Sequence, residues 1–273
     1  MKRIVMTIVA VAMTVISAQA QEKERYMVIT KTSTVKIPVS DVEDITFREE
    51  EMSEKISVNG VEFTMIKVDG GTFLMGSNDP NIKWADPVHR VTLGDYYIGE
   101  TEVTKELWAA VMGTSSTSKQ PVEQTYGSCG GFISKLNELT GLQFRLPTEA
   151  EWEFAAKGGI KSKGYIYSGS DTIDDVAWYD GNSNSKTHVV ATKAPNELGI
   201  YDMSGNVAEW CADWFNNYIA APQISPIGPF EGAQRIVRGG SYKKTSDNCS
   251  TVFRDAIEPK SSVYNQAGFR IAL

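Results

Sequence analysis

Between residues 26 and 47, in YMVITKTSTVKIPVSDVEDITF, β-branched and polar residues alternate with a period of two. That pattern predicts short strands with one wet face. The acidic run from Glu49 to Lys55, EEEMSEK, reads as a linker. Two β-type runs in VEFTMIKVDGGTFLMGS then flank Asp69-Gly70-Gly71, and the Asp-Gly pair predicts a hairpin because it tolerates the positive φ of a tight turn. The period next changes to that of a helix, three times. Thr104 precedes KELWAAVM and Gly113 ends it; Ser128 precedes CGGFISKLNELT and Gly141 ends it; Thr148 precedes EAEWEFAAK and Gly158 ends it. Thr148 with Glu151 forms a capping-box pattern, while Gly130 and Gly131 weaken the second helix.

From Gly159 onward the chain is rich in Gly, Asn, Ser, Asp, Trp and Tyr, with few periodic runs. A long loop-rich half inside one domain needs ions or aromatic packing to order it, and such loops are where function concentrates. At the other end, Lys2 and Arg3, an apolar run from Ile4 to Ile16 and Ala18-Gln19-Ala20 make the pattern of a secretory signal peptide over residues 1–20. The apolar run is short for a membrane span, and Gln21 rather than a cysteine follows the cut, so no membrane anchor is expected. The expectation is an exported, periplasmic or extracellular protein with a β appendage over residues 21–57 and one main domain over residues 58–273.

Loss of Lys2 and Arg3 with the leader takes the formal net charge from −7 to −9. An acidic chain without a basic run argues against nucleic acid and anionic membranes as partners. Cys129, Cys211 and Cys249 are too few for a disulfide scaffold, and the odd count leaves one thiol unpaired within the chain. In an oxidising compartment Cys211 and Cys249 are candidates to pair, given a short enough Cα separation; the alternatives for Cys249 are a free buried thiol or a nucleophile. Asp202 and Glu209 bracket a glycine-containing loop, the mixture of carboxylates and curled backbone that calcium favours. Glu149 and Glu153 read as neighbours on a solvated helical face. Trp178, Tyr179, Trp210, Trp214, Phe215 and Tyr218 read as core aromatics or as the lining of a ligand groove. His89, at the start of a strand, and His188, in a loop, have no second ligand at metal spacing and read as structural.

The segments GGTFLMGS (70–77), ETEVTKELWAAVMG (100–113), PVE (121–123), FRLPTEAEWEFAAKGG (144–159), PNELGIYDMSGNVAEW (195–210), RIVRGGSY (235–242) and GFRIAL (268–273) resemble, in order, the motif set of the formylglycine-generating enzymes, or sulfatase-modifying factors. The resemblance covers residues 58–273. It implies an α+β, C-type-lectin-like fold with little regular secondary structure, its loops fixed by calcium. It also implies a calcium site formed by Asp202, Gly205, Val207 and Glu209. A second site would lie over residues 175–187, where Val176 or Ala177 falls at the leading ligand position and Asp180, Asn182 and Asn184 are the remaining oxygen donors. Active members oxidise a sulfatase cysteine with oxygen and a copper ion held by two thiolates. The matching positions here are Lys244 and Cys249, with Ser241 retained beside them. An ammonium group cannot serve as a soft copper ligand, so copper is not expected. The resulting expectation is a calcium-stabilised binding or scaffold module for an exported protein, peptide or glycan. The alternative is a formylglycine-generating oxidase using Cys249 and Ser241.

Overall fold

Asn59 and Gly60 both take positive φ, 48° and 83°, in the computed structural model of the chain. They form the two-residue turn that joins strands β5 (Ser53–Val58) and β6 (Val61–Val68), with Val58 opposite Val61. This is the turn chemistry of a tight hairpin. The structure describes residues 53–259 and 266–273 in full, with the backbone of four short strands before residue 53. The chain divides into two compact units, Met1–Met52 and Ser53–Leu273. In the smaller, β1 (Val5–Thr7) pairs in parallel with β4 (Thr46–Arg48), and β2 (Tyr26–Thr30) pairs antiparallel with β3 (Thr34–Pro38). Most of the predicted signal peptide lies outside the described residues.

The hairpin predicted at Asp69-Gly70-Gly71 does not form. Strand β6 pairs with β5 and with β9 (Tyr96–Gly99), whereas β7 (Gly71–Met75) pairs antiparallel with β8 (His89–Leu93) in a different sheet. The reason is packing at Gly70: a Cβ there would lie 2.5 Å from the carbonyl carbon of Gly94, and its amide donates to Asp95 Oδ1 at 2.8 Å. The glycine thus permits a close backbone crossing between sheets. The predicted linker is also too long, since Ser53, Glu54 and Lys55 already belong to β5 and the larger unit begins at Ser53.

Three helices follow where the sequence period changes. Helix α1 (Lys105–Met112) is capped by the Thr104 hydroxyl, which accepts from Leu107 N, and ends at Gly113 with φ 73°. Helix α2 (Tyr126–Thr140) starts earlier than predicted, because Thr125 and not Ser128 is its cap; Thr125 accepts from Ser128 N at 3.3 Å. Its extra turn carries Tyr126, which packs edge-on against Trp210. Helix α3 (Glu149–Ala156) has the complete capping box of Thr148 and Glu151. After a short helix α4 (Ile173–Val176), the chain returns to strands: β10 (Ala208–Trp214), β11 (Gln223–Ile224), β12 (Arg235–Arg238), β13 (Arg254–Ile257) and β14 (Ala267–Gly268). The last sheet has the order β13-β12-β10-β14, and β11 adds in parallel to β8.

Two apolar clusters form the interior. One joins Met65, Phe132, Leu136, Trp210 and Phe269; the other joins Val68, Ile98, Trp152, Phe154 and Ile236. Trp108 of α1 stacks on Phe132 of α2 at 5.3 Å, which locks the helices together. The fold is α+β, and α3 sits where β7, β10 and β12 can all reach it. Replacing Gly60 by alanine tests the hairpin. A Cβ at Gly60 meets nothing within 4 Å, so only the positive φ resists it. We expect Gly60→Ala to lower stability by about 1 kcal/mol, read as a lower urea midpoint at unchanged slope.

Candidate functional site

The thiol loop leaves β12 through Gly239 and Gly240, whose φ values are 87° and 72°. A Cβ on Gly240 would stand 2.6 Å from Asn248 O and 2.7 Å from Cys249 Sγ, so the turn lies directly on the cysteine. Cys249 is fully buried, and burial pushes its thiol up to about 12, with Asp180 reinforcing and Lys244 opposing the shift. Lys244 Nζ lies 3.6 Å from Asp255 Oδ2. Ser241 is buried and donates to Gln266 Oε1 at 2.7 Å. Cys129 and Cys211 are likewise buried, in the first and second apolar clusters, and all three thiols are free. The candidate Cys211–Cys249 disulfide is therefore absent. A copper site does not fit this loop: one ligand position holds an ammonium paired with a carboxylate, and the other holds a buried, protonated thiol.

The loop from Asp202 to Glu209 is tightly curled, with positive φ at Asp202, Gly205 and Asn206. Glycine is required at 205, where a Cβ would come within 2.3 Å of Trp178 O. Asp202 is buried; its Oδ2 accepts from Ala191 N at 2.7 Å, and its Oδ1 has no hydrogen-bond partner. Burial pushes the Asp202 carboxyl up to about 6. Glu209 is spoken for: Arg270 Nε and Nη2 donate to its two oxygens at 2.6 and 2.7 Å, and Trp152 Nε1 donates to Oε2 at 2.7 Å. The sequence reading overlooked Glu102, which is buried and accepts from Val207 N and Asn206 Nδ2. Burial, then Asp202, then Glu209 hold its carboxyl well above the usual range. Three buried carboxyl groups thus lie near one guanidinium, which hydrogen-bonds Glu209 among them. The orphaned Oδ1 of Asp202 fits a calcium ligand, and Glu209 retains a lone pair on Oε1 for the same purpose. Among the described residues, no group of three His, Cys, Asp or Glu side chains is arranged to hold a metal by itself. Backbone oxygens such as those of Gly205 and Val207 are needed to complete such a set.

Residues 175–187 carry packing and hydrogen-bond contacts of their own. Val176 and Ala177 are buried without side-chain oxygens, and Asn182 Nδ2 donates to Asp174 Oδ1 and Ala177 O, both at 3.0 Å. Asp180 and Asn184 are exposed. Trp178 stacks on His188 at 3.7 Å, Lys193 Nζ sits 4.4 Å from the Trp178 ring, and His188 Nε2 bonds Ser183 O at 2.8 Å. Aromatic and cation packing holds the loop here, with the His188 ring part of that stack.

Glu149 and Glu153 are not on a solvated face; both are buried. Arg254 grips Glu149 through Nε and Nη2 at 2.5 and 2.8 Å, and Arg238 Nη2 donates to Glu153 Oε2 at 2.5 Å. Lys157 Nζ adds a 2.6 Å contact to Glu153 Oε1, and Gly76 N donates to the same oxygen. Although burial opposes ionisation of Glu153, Lys157 and Arg238 outweigh it and hold the carboxyl near 2. The signal was available in EAEWEFAA: with Trp, Phe and Ala distributed round α3, no face is left for solvent. Beside this network a cleft of about 330 Å³ is lined by Glu149, Asp213, Trp214 and Tyr218, among others. Of the predicted aromatics, Trp214 and Tyr218 line this cleft, while Trp210 is core.

The α+β domain that carries the Asp202 loop and the GGSY turn resembles the sulfatase-modifying-factor type in the order of its sequence motifs. The family model described as "Sulfatase-modifying factor enzyme 1-like domain" matches residues 51–131 and 118–273, and the chain belongs to that family. It is 33% identical to "Chaperone protein LppX" of Paenibacillus barcinonensis over 65% of this chain and 78% of that protein. It is 30% identical to the "Formylglycine-generating enzyme" of Streptomyces coelicolor over 76% of this chain and 88% of the enzyme. Among solved structures, "Treponema denticola variable protein 1" superposes with a TM-score of 0.75 at 34% identity, covering 82% of this chain and 99% of that one.

The buried ion pairs predict a specific mutational response. Arg254→Met strands Glu149 with only its 3.3 Å contact to Arg238 Nη1 and the 3.1 Å bond from Tyr218. We expect a loss of about 3 kcal/mol or more in urea unfolding, and partial recovery when Glu149→Leu is added, because the uncompensated charge is then removed.

Proposed function

We propose that this family member is an exported binding module, ordered by calcium, that does not perform cysteine oxidation. The observation that carries the reading is Lys244 at the position of the first copper thiolate, paired with Asp255, beside a Cys249 whose thiol is buried. Fold and family raise the prior on oxidation, but the site has to supply the chemistry, and a soft metal needs both thiolates. Relatives of this chain carry names as different as chaperone and formylglycine-generating enzyme, which is in keeping with one scaffold serving several ends. Export rests on the signal-peptide pattern; among the described residues no helix is long and apolar enough to cross a membrane. The partner is an exported protein, peptide or glycan met by the loop-rich half.

Calcium in this reading is held by Asp202 and Glu209 with the carbonyl oxygens of Gly205 and Val207. It supplies positive charge where Glu102, Asp202 and Glu209 cluster round the Arg270 guanidinium. The motivating observation is the unpartnered Asp202 Oδ1. Saturating calcium should raise the melting temperature by roughly 5 °C or more over chelator-treated protein, and Asp202→Asn should remove that difference. Equal melting curves with and without chelator would refute the calcium assignment. For the activity, the reduced, copper-loaded protein is incubated with a cysteine-containing sulfatase peptide under oxygen, and aldehyde is measured by mass spectrometry. No aldehyde is expected; catalytic conversion would establish the oxidase reading instead.

A further inference from the structure

The 330 Å³ cleft beside α3 is a second site, separate from both the thiol loop and the Asp202 loop. Its volume falls in the range of small-molecule sites. Two of its lining side chains, His89 and Asp213, are only 3% and 5% exposed, and each spends one polar atom on a hydrogen bond within the protein. Asp213 uses Oδ2 to accept from Glu149 N at 2.8 Å, which leaves Oδ1. The Nδ1 of His89 lies 3.0 Å from Pro87 O. A carbonyl can only accept, so Nδ1 carries a proton, and Nε2 is the ring's remaining polar atom. The ring is held in that pose against Tyr218 at 4.7 Å.

The remaining wall decides what those polar atoms are for. Asn216 and Asn217 line the cleft with exposed amide side chains, and Ile219 and Ile227 supply an apolar side. The Glu149 charge is already matched bidentately by Arg254, and burial, reinforced by Glu149, pushes the Asp213 carboxyl up to about 7. With Glu149 matched by Arg254 and burial disfavouring the charged form of Asp213, a cationic ligand finds little fixed negative charge to pair with. An anion gains little either, because the Arg254 guanidinium is already engaged by Glu149, Trp84 O and Asn216 O. A purely apolar ligand would strip water from His89 Nε2 and Asp213 Oδ1 without replacing it, an unfavourable exchange.

We propose that this cleft binds a neutral, hydroxyl-rich ligand, a saccharide unit whose hydroxyls, able both to donate and to accept, exchange hydrogen bonds with His89 Nε2 and Asp213 Oδ1 and engage the Asn216 and Asn217 amides. Its C–H face rests on Ile219 and Ile227. This rests on the binding-module reading and narrows its partner to a glycan. Tyr218, fixed between Arg254 at 3.7 Å and His89, is a positioning residue for the imidazole.

The test is a titration of the full chain with neutral hexose and N-acetylhexosamine mono- and disaccharides up to millimolar concentrations, followed by tryptophan fluorescence and calorimetry. Trp214 in the wall provides the optical signal. Binding of at least one sugar is expected, weakened about tenfold by each of His89→Phe and Asp213→Asn, as the loss of one hydrogen bond implies. Ile227→Trp, at an exposed rim position, alters the cleft without touching the buried network and should also weaken binding while leaving the melting temperature unchanged. The sugar should still bind in chelator. The proposal is overturned if no sugar binds, if lysine or spermidine binds in preference, or if binding survives both buried-site variants within twofold. A sugar signal abolished by chelator and indifferent to Asp213→Asn would place recognition elsewhere and overturn it equally. Failure of the sugar titration without aldehyde formation removes only this assignment, whereas catalytic aldehyde formation removes the binding-module reading itself.

Discussion

Arginine–carboxylate pairing inside the domain is the constraint on which the loop-rich half depends. Glu149 and Glu153 of α3 are tied to Arg254 and Arg238 of β13 and β12, and Glu209 of β10 is tied to Arg270 near the C-terminus. The Glu149–Arg254 contact spans 105 residues of sequence, so it cannot form until the chain between has folded round it. Such pairs add little net stability relative to an apolar core of the same shape, because both charges must be desolvated. Their consequence is specificity: a guanidinium with several fixed donors admits few alternative arrangements, and a misplaced loop leaves a buried charge uncompensated. In a domain with few long strands, that supplies a register which backbone ladders alone would leave loose.

The same arginines also shape the clefts. Arg254 spends its other donors on Trp84 O and Asn216 O, which draws the segment after β10 against α3 and forms one wall of the 330 Å³ cleft. Arg235 lies 3.6 Å from the Trp214 ring and 4.5 Å from that of Tyr126, fastening β12 to the start of α2. The scaffold that holds the fold is therefore built from different residues than the GGSY loop. Ser241 and Cys249 are packed, hydrogen-bonded parts of that loop. The fold and the loop thus rest on separate side chains, so one can vary without the other.

What the sequence made legible was local. Thr104 and Thr148 identify their helices because a cap is a contact between residues three apart, and the motif order is enough to give the family and its α+β fold. Local rules failed where distant partners decide. Asp69-Gly70 carries the composition of a turn, yet Gly70 is there for the crossing of Gly94; Asn59-Gly60, a stronger turn pair, makes the real hairpin. Glu149 and Glu153 read as surface charges because their partners stand some 85 to 105 residues away. Glu102 was missed for the same reason: nothing in ETEVT reveals that its carboxylate will receive Val207 N.

The central claim is that Lys244 and a buried Cys249 leave the domain without a soft metal site. A copper(I) titration of the fully reduced protein against a competing chelator, read by thiolate-to-copper absorption in the near ultraviolet, tests it most directly. The account predicts that the chelator keeps the copper and that no thiolate band develops, in wild-type protein and in Cys249→Ser alike. One equivalent of copper(I) taken from the chelator by the wild type, with a thiolate band lost in Cys249→Ser, would contradict it.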